Sequence, residues 1–267
     1  MSKKYRVIIS GVGGKMGRAI LQGIINEPDI EIVGAVDIKL LGKDIGYLTG
    51  EDPRKITIRD NLDQVLKETK AQIMIDFTNP QAVMKNIRTA LVNRVASVVG
   101  TTGLTPHDIE ELNTLTERYR TPVFLAPNFA LGAVLMMKFA QEASKYFPHV
   151  EIIEKHHDQK MDAPSGTAIK TLEMMAEGRK EIHQGAPHEF EKISGSRGGN
   201  FQGMRVHSVR LPGLVAHQEV IFGGEGQTLT IRHDSLSRES FVPGVLLAVR
   251  NVLQMKGVVY GLEKLLW

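Results

Sequence analysis

Short apolar runs alternate with helix-like stretches through the first half of the chain. The runs span residues 6–10, 31–36, 72–77, 95–99 and 122–125, and each is followed by a polar or glycine-bearing loop. Strands that alternate with helices are typical of a parallel, doubly wound sheet with right-handed crossovers. Ligands bind beyond the carboxyl ends of the strands in such sheets, so the alternation predicts an α/β fold with a site built from these loops.

The first of these loops is rich in glycine. Residues 11–17 read Gly-Val-Gly-Gly-Lys-Met-Gly, and apolar residues recur at helical spacing after them. A glycine turn between a strand and a helix lets the backbone approach a pyrophosphate, as in Rossmann-type dinucleotide-binding domains. Met16 occupies the third glycine position of the strict G-x-G-x-x-G pattern. However, Gly11, Gly14 and Gly17 form G-x-x-G-x-x-G, which can serve the same geometry.

The second strand ends at an acidic residue, Asp37, twenty positions after Gly17. An acid at this offset is where a ribose hydroxyl of NAD would bind, although a lone Asp at a strand end can also simply be solvated. Lys39 lies two residues after Asp37, and Lys15 lies in the glycine loop. Either lysine could meet a 2′-phosphate. The sequence therefore predicts a nicotinamide cofactor and leaves NADH and NADPH both open.

The pattern changes after Asn128. The second half contains predicted helices over residues 130–146 and 165–180, a strand over 150–154, and three segments that alternate like antiparallel strands, 204–210, 216–222 and 227–233. Residues 183–202 are rich in glycine, histidine and charge, and we interpret them as a mobile loop and a candidate lid.

The last apolar segment indicates how the chain divides. Residues 241–254 have helical spacing and are expected to pack back on the first domain, with Val245, Val249, Val252 and Leu253 on one side. We therefore predict an N-terminal Rossmann-type parallel-sheet domain that binds the dinucleotide, formed by residues 1–129 and 238–267. Residues 130–237 would form an α+β substrate domain with an open mixed sheet. Closure about residues 128–130 and 235–238 would exclude water from the reaction.

The chemically densest segment, at residues 154–168, reads E-K-H-H-D-Q-K-M-D-A-P-S-G-T-A. Lys160 can neutralise a carboxylate, and His156 or His157 can shuttle a proton near neutral pH. Ser165 or Thr167 can cap a helix whose first-turn N–H groups then bind an anion. The segment predicts a site that holds and protonates a small, negatively charged molecule.

Composition argues against several classes of function. The chain has no cysteine, which excludes disulfides, thiolate catalysis and cysteine-ligated zinc. We also reject a metal at the two adjacent histidines, because neighbours on a strand point to opposite faces. The net charge is only +3, from 33 Lys and Arg against 30 Asp and Glu, and no run of like charge suggests a nucleic-acid partner. No apolar run reaches the roughly 18 residues of a membrane span, and no signal-peptide pattern is present, so we expect a cytoplasmic protein without a membrane partner.

The segment at 154–168 resembles the signature of the 4-hydroxy-tetrahydrodipicolinate reductase (dihydrodipicolinate reductase) family, in the form E-x-H-H-x-x-K-x-D-x-P-S-G-T-A. The glycine turn, Asp76-Phe77-Thr78, Gly100-Thr101-Thr102-Gly103 and Asn128-Phe129 match that family's other landmarks in order and spacing. The resemblance covers the whole chain. It implies an enzyme of diaminopimelate and lysine biosynthesis that reduces 4-hydroxy-tetrahydrodipicolinate to tetrahydrodipicolinate by hydride transfer from NADH or NADPH.

The resemblance also implies roles for single residues. His156 would be the catalytic acid and base, Lys160 the second proton donor, and His157 a substrate contact. A substrate carboxylate would be held by Gly166 and Thr167. The residues that would line the cofactor are Gly11, Val12, Gly13, Gly14, Lys15, Met16, Asp37, Lys39, Phe77, Gly100, Thr101, Thr102, Ala126, Pro127, Asn128 and Phe129.

Members of the family are typically homotetramers assembled through the sheet of the second domain, so residues 130–237 would also serve oligomerisation. One position departs from the family pattern. Many members have Arg directly after the acid at the Asp37 position, whereas Ile38 precedes Lys39 here. This departure keeps the choice between NADH and NADPH open.

Two other functions compete with this interpretation. Another Rossmann-type oxidoreductase could act on a related semialdehyde or amino acid, but it would need a different base, and the absence of cysteine excludes an acylating semialdehyde dehydrogenase. A non-catalytic, nucleotide-sensing module would have no need of His156, His157 and Lys160 together.

Overall fold

The computed structural model describes residues 4–180 and 182–267, which divide into two units. The first unit comprises the described chain up to Phe129 together with Arg238–Trp267, and the second comprises Ala130–Ser237. Each unit has its own sheet and its own hydrophobic core.

Strands and helices alternate along the first part of the described chain. Up to Phe129 they are β1 (Tyr5–Ser10), α1 (Lys15–Ile24), β2 (Ile30–Val36), α2 (Gly46–Thr49), β3 (Ile58–Arg59), α3 (Leu62–Thr69), β4 (Ile73–Asp76), α4 (Pro80–Val92), β5 (Ala96–Val99), α5 (Pro106–Tyr119) and β6 (Val123–Leu125). In the second unit they are α6 (Leu131–Ala143), β7 (His149–His156), α7 (Gly166–Ala176), β8 (Gly199–Phe201), β9 (Met204–Arg210), β10 (Ala216–Gly224) and β11 (Gln227–Ser235). The first unit then resumes with a 3₁₀ turn (Arg238–Phe241), α8 (Val242–Val252), β12 (Val258–Tyr260) and a second 3₁₀ turn (Leu262–Leu265).

The sheet of the first unit is parallel throughout, in the order β12-β6-β5-β4-β1-β2-β3. Strands β4 and β5 are buried at every residue, as expected when helices cover both faces of a parallel sheet. The helices begin at local signals: the Asn61 side chain caps α3, and Thr105 and Asp108 form a capping box on α5. The predicted Rossmann-type sheet is confirmed.

Three details of the first unit differ from the sequence prediction. Residues 42–60 are polar and glycine-bearing, which predicts an irregular connection with a short strand over residues 56–58. The connection instead contains the short helix α2, where the carboxylate of Asp44 accepts the N–H of Gly46 at 2.8 Å, and its strand is Ile58–Arg59. Strand β12, which the pattern does not predict, pairs with β6. Leu253 is 42% exposed, because α8 ends at Val252 and the side chain leaves the predicted apolar face.

The sheet of the second unit is mixed, in the order β11-β10-β7-β9-β8. The hairpin β10–β11 is antiparallel as predicted, whereas β9 pairs parallel with β7 and antiparallel with β8. The sheet and helices α6 and α7 share one core, which includes Ala140, Ile152, Leu172 and Phe222. The predicted mixed sheet is therefore confirmed, and its parallel pairing is the one between β7 and β9, which the alternation of residues 204–210 does not indicate.

The segment predicted as a mobile loop, residues 183–202, is attached to β7 at two points. The buried amide of Gln184 binds the backbone N–H and carbonyl of Val150 at 3.1 and 3.2 Å. Arg197 donates to the carboxylate of Glu151 at 2.8 Å. The segment ends in strand β8, and its role as a lid stays a prediction.

Candidate functional site

The glycine turn closes tightly between β1 and α1. Gly11 has a φ of +84°, and a Cβ there would lie 2.4 Å from the carbonyl oxygen of Phe77. A Cβ at Gly17 would lie 2.0 Å from the carbonyl oxygen of Gly11, so this residue gives the close helix packing expected of the third glycine. Helix α1 begins at Lys15 without a side-chain cap, and its first-turn N–H groups have no partner within the helix. Such a helix start suits a phosphate.

Asp37 lies where the sequence places it, beside the glycine turn. Its carboxylate accepts the backbone N–H of Gly13 at 2.7 Å and that of Lys39 at 2.8 Å. Ile38, which lies between Asp37 and Lys39 in the chain, is 80% exposed. Asp37 and Lys39 line a cavity of about 770 Å³ at the carboxyl ends of β1, β2 and β4, together with Gly11, Gly14, Phe77 and Thr78. A ribose hydroxyl in this cavity would meet a carboxylate that is already held in place.

A buried polar cluster joins the ends of β4 and β5. Asp76 is fully buried and accepts hydrogen bonds from the hydroxyls of Thr78 and Thr101, both at 2.7 Å, and from the amide of Asn86 at 2.8 Å. The N–H of Thr78 also donates to the Thr101 hydroxyl at 2.7 Å. Sequence reasoning gave no role to Asn86, which also lines the cavity, because nothing local marks a residue in the middle of α4.

The aromatic residues of the predicted cofactor set pack behind this cluster. The rings of Phe77 and Phe129 lie 5.7 Å apart, and a Cβ at Gly100 would lie 2.1 Å from the ring of Phe77. Phe129 is fully buried, as is Val12. The remaining predicted residues are distributed around the turn and the strand ends: Lys15, Thr102 and Pro127 are exposed, Met16 and Asn128 are half-buried, and Ala126 is buried. Phe77 lines the cavity beside Asp37, whereas Phe129, Val12 and these remaining predicted residues do not.

In the second unit, β7 carries the predicted catalytic histidine at its last position. His156 Nδ1 lies 2.5 Å from Oε2 of Glu154, and its side chain is 15% exposed. His157 follows the strand and is exposed. Alternation along β7 places Val150, Ile152 and Glu154 on the buried face of the sheet.

Glu154 is fully buried and is surrounded by donors. Arg210 donates to both of its oxygens, at 2.7 and 3.0 Å, and the N–H of Ser165 donates at 3.2 Å. Burial opposes ionisation of this carboxyl, but hydrogen bonds from His156, Arg210 and Ser208 outweigh it and lower its pKa to about 2. Glu154 is thus a buried anion at neutral pH.

Lys160 lies in the loop between β7 and α7. Its Nζ donates to Asp162 at 2.7 Å, a hydrogen bond that lowers the pKa of the Asp162 carboxyl. The carbonyl of Asp162 in turn accepts Arg210 Nη2 at 2.7 Å. Asp162, which holds the cation predicted to face the substrate, is therefore also bound by the arginine that binds Glu154.

Helix α7 begins where the sequence predicts an anion site. Ser165, not Thr167, is the cap: its hydroxyl accepts the N–H of Ala168 at 3.2 Å. Gly166 is exposed, and a Cβ placed on it would meet nothing within 4 Å. Thr167 is half-buried. The surface at Gly166 is therefore open to a ligand.

Three further histidines lie on β9, β10 and β11, and two of them have carboxylate partners. His207 lies 2.8 Å from Glu151, and His217 lies 2.7 Å from Asp234. Burial lowers the pKa of His233. Among residues 4–180 and 182–267, no three His, Asp or Glu side chains converge on one point as a metal would require. No helix in the described ranges is both long and apolar enough to span a membrane.

A parallel sheet with a glycine turn and a strand-end acid, followed by a second unit with a histidine–carboxylate pair, is typical of nicotinamide-dependent oxidoreductases. Family models for the N-terminus and the C-terminus of dihydrodipicolinate reductase match residues 5–129 and 132–266. The chain therefore belongs to the dihydrodipicolinate reductase family, and the resemblance based on the sequence motifs is confirmed.

Relatives of known name cover the whole chain. The 4-hydroxy-tetrahydrodipicolinate reductase of Desulfitobacterium hafniense is 58% identical over 265 residues, 99% of each chain. That of Syntrophomonas wolfei is 53% identical over 266 residues, 100% of each chain. The solved structure of dipicolinate-bound dihydrodipicolinate reductase from Paenisporosarcina sp. TG-14 is 45% identical, covers 98% of this chain and 99% of its own, and has a TM-score of 0.87.

Proposed function

We propose that this chain reduces 4-hydroxy-tetrahydrodipicolinate to tetrahydrodipicolinate with NADH or NADPH, as a step of diaminopimelate and lysine biosynthesis. The observation that carries the proposal is the match of nearly the whole chain to one reductase family, with relatives that are more than half identical. The solved relative named as dipicolinate-bound supports a cyclic dicarboxylate as the ligand.

The residues of the first unit fit a dinucleotide. The first turn of α1 binds the pyrophosphate, and the carboxylate held by Gly13 and Lys39 accepts a ribose hydroxyl. The other residues assigned to the cofactor from the resemblance, from Val12 to Phe129, belong to the same proposal. NADH or NADPH, when bound, supplies the hydride.

The second unit holds and protonates the substrate. The N–H groups of Gly166 and Thr167, at the positive end of α7, hold one carboxylate. Lys160 balances the remaining negative charge and is the second proton donor, and His157 contacts the substrate. The 4-hydroxyl of the substrate leaves as water, which places a C=C bond in conjugation with the ring C=N bond. A hydride then adds to the carbon that carried the hydroxyl, the electron pairs shift toward nitrogen, and His156 donates the one proton that the ring takes up, so that the product keeps a C=N bond.

The proposal extends to assembly and location. We expect a homotetramer formed through the mixed sheet of the second unit, and a cytoplasmic enzyme. The support for the tetramer is the family resemblance, and the absence of cysteine agrees with a reducing compartment.

A coupled assay tests the reaction. Dihydrodipicolinate synthase, pyruvate and aspartate semialdehyde generate the substrate in place, and the oxidation of NADH and of NADPH is followed. We expect oxidation that depends on the synthase. In His156→Ala and Lys160→Ala, turnover should fall by about 100-fold or more, because a positioned acid or base contributes roughly 10²–10⁴-fold. Binding of NADH should be unchanged in both variants.

Lys155→Ala is the matched control, since Lys155 lies on the same strand and faces Glu219 instead of the proposed site. It should retain full turnover. If wild type binds both cofactors but oxidises neither, the reductase assignment fails and a nucleotide-sensing role replaces it. If the alanine variants lose NADH affinity as much as turnover, the proposal that the first unit binds the cofactor and the second unit binds the substrate is wrong.

A further inference from the structure

We infer that Glu154 and Arg210 are positioning residues of the reductase reaction, which hold His156, Lys160 and the start of α7 in one arrangement. This inference rests on the proposed function. It concerns two residues to which neither the motif nor the resemblance gave a role.

The position of Glu154 is unusual for a carboxylate. It is the third inward-facing residue of β7 after Val150 and Ile152, which belong to the hydrophobic core. A carboxylate at such a place is costly unless it is paired and hydrogen-bonded. An apolar residue would serve packing better, so the acid is expected to have another task.

Each oxygen of Glu154 is used within the protein. Oε2 binds His156 Nδ1 at 2.5 Å and Arg210 Nη1 at 3.0 Å, while Oε1 binds Arg210 Nη2 at 2.7 Å and the N–H of Ser165 at 3.2 Å. With no exposed surface, the carboxylate acts through its partners and not on the substrate.

The contact with His156 determines which ring nitrogen serves the reaction. His156 and Glu154 are two residues apart on one strand, so their side chains share a face. With Nδ1 bound to the carboxylate, Nε2 is the ring nitrogen left for the substrate. The buried carboxylate therefore orients the ring that donates the proton.

Arg210 extends the arrangement to the loop that carries Lys160. Strand β9 is parallel to β7, and this pairing places Arg210 opposite His156. From there its guanidinium spans from Glu154 to the carbonyl of Asp162, whose carboxylate holds Lys160. Ser165, which begins α7, completes the set through its N–H.

The chain contains a close match for this cluster that can serve as a control. Glu151, also on β7, binds His207 at 2.8 Å and Arg197 at 2.8 Å. It therefore has the same kinds of partner, a histidine and an arginine. However, it lies on the opposite face of the strand, 30% exposed, and none of its partners belongs to the proposed site.

The test compares Glu154→Gln with Glu151→Gln in the full-length protein. Glutamine keeps the shape of the side chain and removes the charge. We expect Glu154→Gln to lower kcat by about 100-fold, a loss in the range of removing one acid–base group, with the KM for NADH unchanged. Glu151→Gln should keep kcat within about twofold of wild type, as surface substitutions away from a site generally do.

A spectroscopic measurement separates positioning from folding. In ¹⁵N-labelled protein the His156 ring, identified by its loss in His156→Ala, should be the Nδ1–H tautomer with a strongly downfield Nδ1 proton. Glu154→Gln should abolish that downfield signal, while Glu151→Gln should leave it in place. Should Glu154→Gln not fold, Glu154→Gln combined with Arg210→Met removes both buried charges together, and we expect the same loss of kcat.

Equal kcat in Glu154→Gln and wild type would overturn the inference, as would a wild-type His156 ring protonated only on Nε2. An inactive wild type has a different meaning: it would refute the proposed reductase reaction, and the tautomer measurement would still decide whether Glu154 orients His156.

Discussion

Asp37 illustrates how a single side chain can bias the choice of cofactor. Two backbone N–H groups hold its carboxylate at 2.7 and 2.8 Å, so it cannot easily move away from a ligand. A fixed carboxylate accepts a ribose hydroxyl and repels a 2′-phosphate. The exposed Ile38 adds no positive charge to offset this, and Lys39 is the nearest cation along the chain.

We therefore expect Asp37→Ser to raise the KM for NADH about tenfold more than the KM for NADPH, a difference of about 1.4 kcal/mol. Lys39→Ala should have the opposite effect and impair NADPH more. The KM values of both cofactors in the coupled assay check this. Equal changes for the two cofactors would mean that Asp37 only braces the glycine turn.

Some residues of the proposed site have a local signal in the sequence, and others do not. The proposed role of Asp37 could be predicted from its distance to the glycine turn along the chain. The roles of Asn86 and Arg210 could not be predicted in this way. Asn86 comes close to Asp76 because α4 packs on the sheet, and Arg210 comes close to Glu154 because β9 pairs parallel with β7. Arg210 is 56 residues from Glu154, and no sequence period connects them.

At the scale of elements, the starts of helices α5 and α7 show what the same cap does in two places. Helices α5 and α7 both begin with a hydroxyl side chain that accepts an N–H of the first turn, Thr105 in one and Ser165 in the other. At the start of α7, a Cβ placed on Gly166 would meet nothing within 4 Å, and a substrate carboxylate is proposed to bind there. The same capping interaction therefore serves stability in α5, and in α7 it would serve stability together with the proposed carboxylate binding.

Ser165→Ala and Thr105→Ala should each destabilise the protein by about 1 kcal/mol, the usual cost of losing such a cap. Only Ser165→Ala should also raise the KM for the dicarboxylate substrate, by a few-fold, because the N–H groups of its first turn become less well ordered. Thermal unfolding and the coupled assay measure the two effects. A matching rise of KM in Thr105→Ala would show that the effect is not local to α7.

Elements defined by nearby residues were predictable, whereas those defined by distant partners were not. The caps of α3, α5 and α7 are short-range patterns, because each capping side chain accepts the N–H of the residue three positions further on. Strand β12 has only three residues and is defined by its pairing with β6. The direction of β9 depends likewise on its neighbours and not on its own alternation.

For the whole molecule, the buried charge of Glu154 makes the free energy of unfolding depend on pH. Its pKa falls from 4.5 to about 2 on folding, so the carboxylate favours the folded state above pH 4.5. That contribution is lost as the pH falls toward 2. By linkage it amounts to roughly 3 kcal/mol at neutral pH.

The free energy of unfolding of wild type should therefore exceed that of Glu154→Gln most clearly above pH 4.5, and the difference should narrow as the pH approaches 2. Urea unfolding of both proteins across this range provides the measurement. A difference that stays constant with pH would mean that Glu154 gains no proton affinity on unfolding.

The first unit is interrupted by the second in chain order, and α8 and β12 return to it only after residue 237. During synthesis the ribosome delivers Ala130–Ser237 before these two elements. The nascent first unit therefore lacks the helix that packs against α1 and the strand that pairs with β6, and their apolar partners stay accessible to chaperones and proteases. The second unit is continuous and can fold as soon as it emerges, so the half proposed to hold the cofactor is the last to mature.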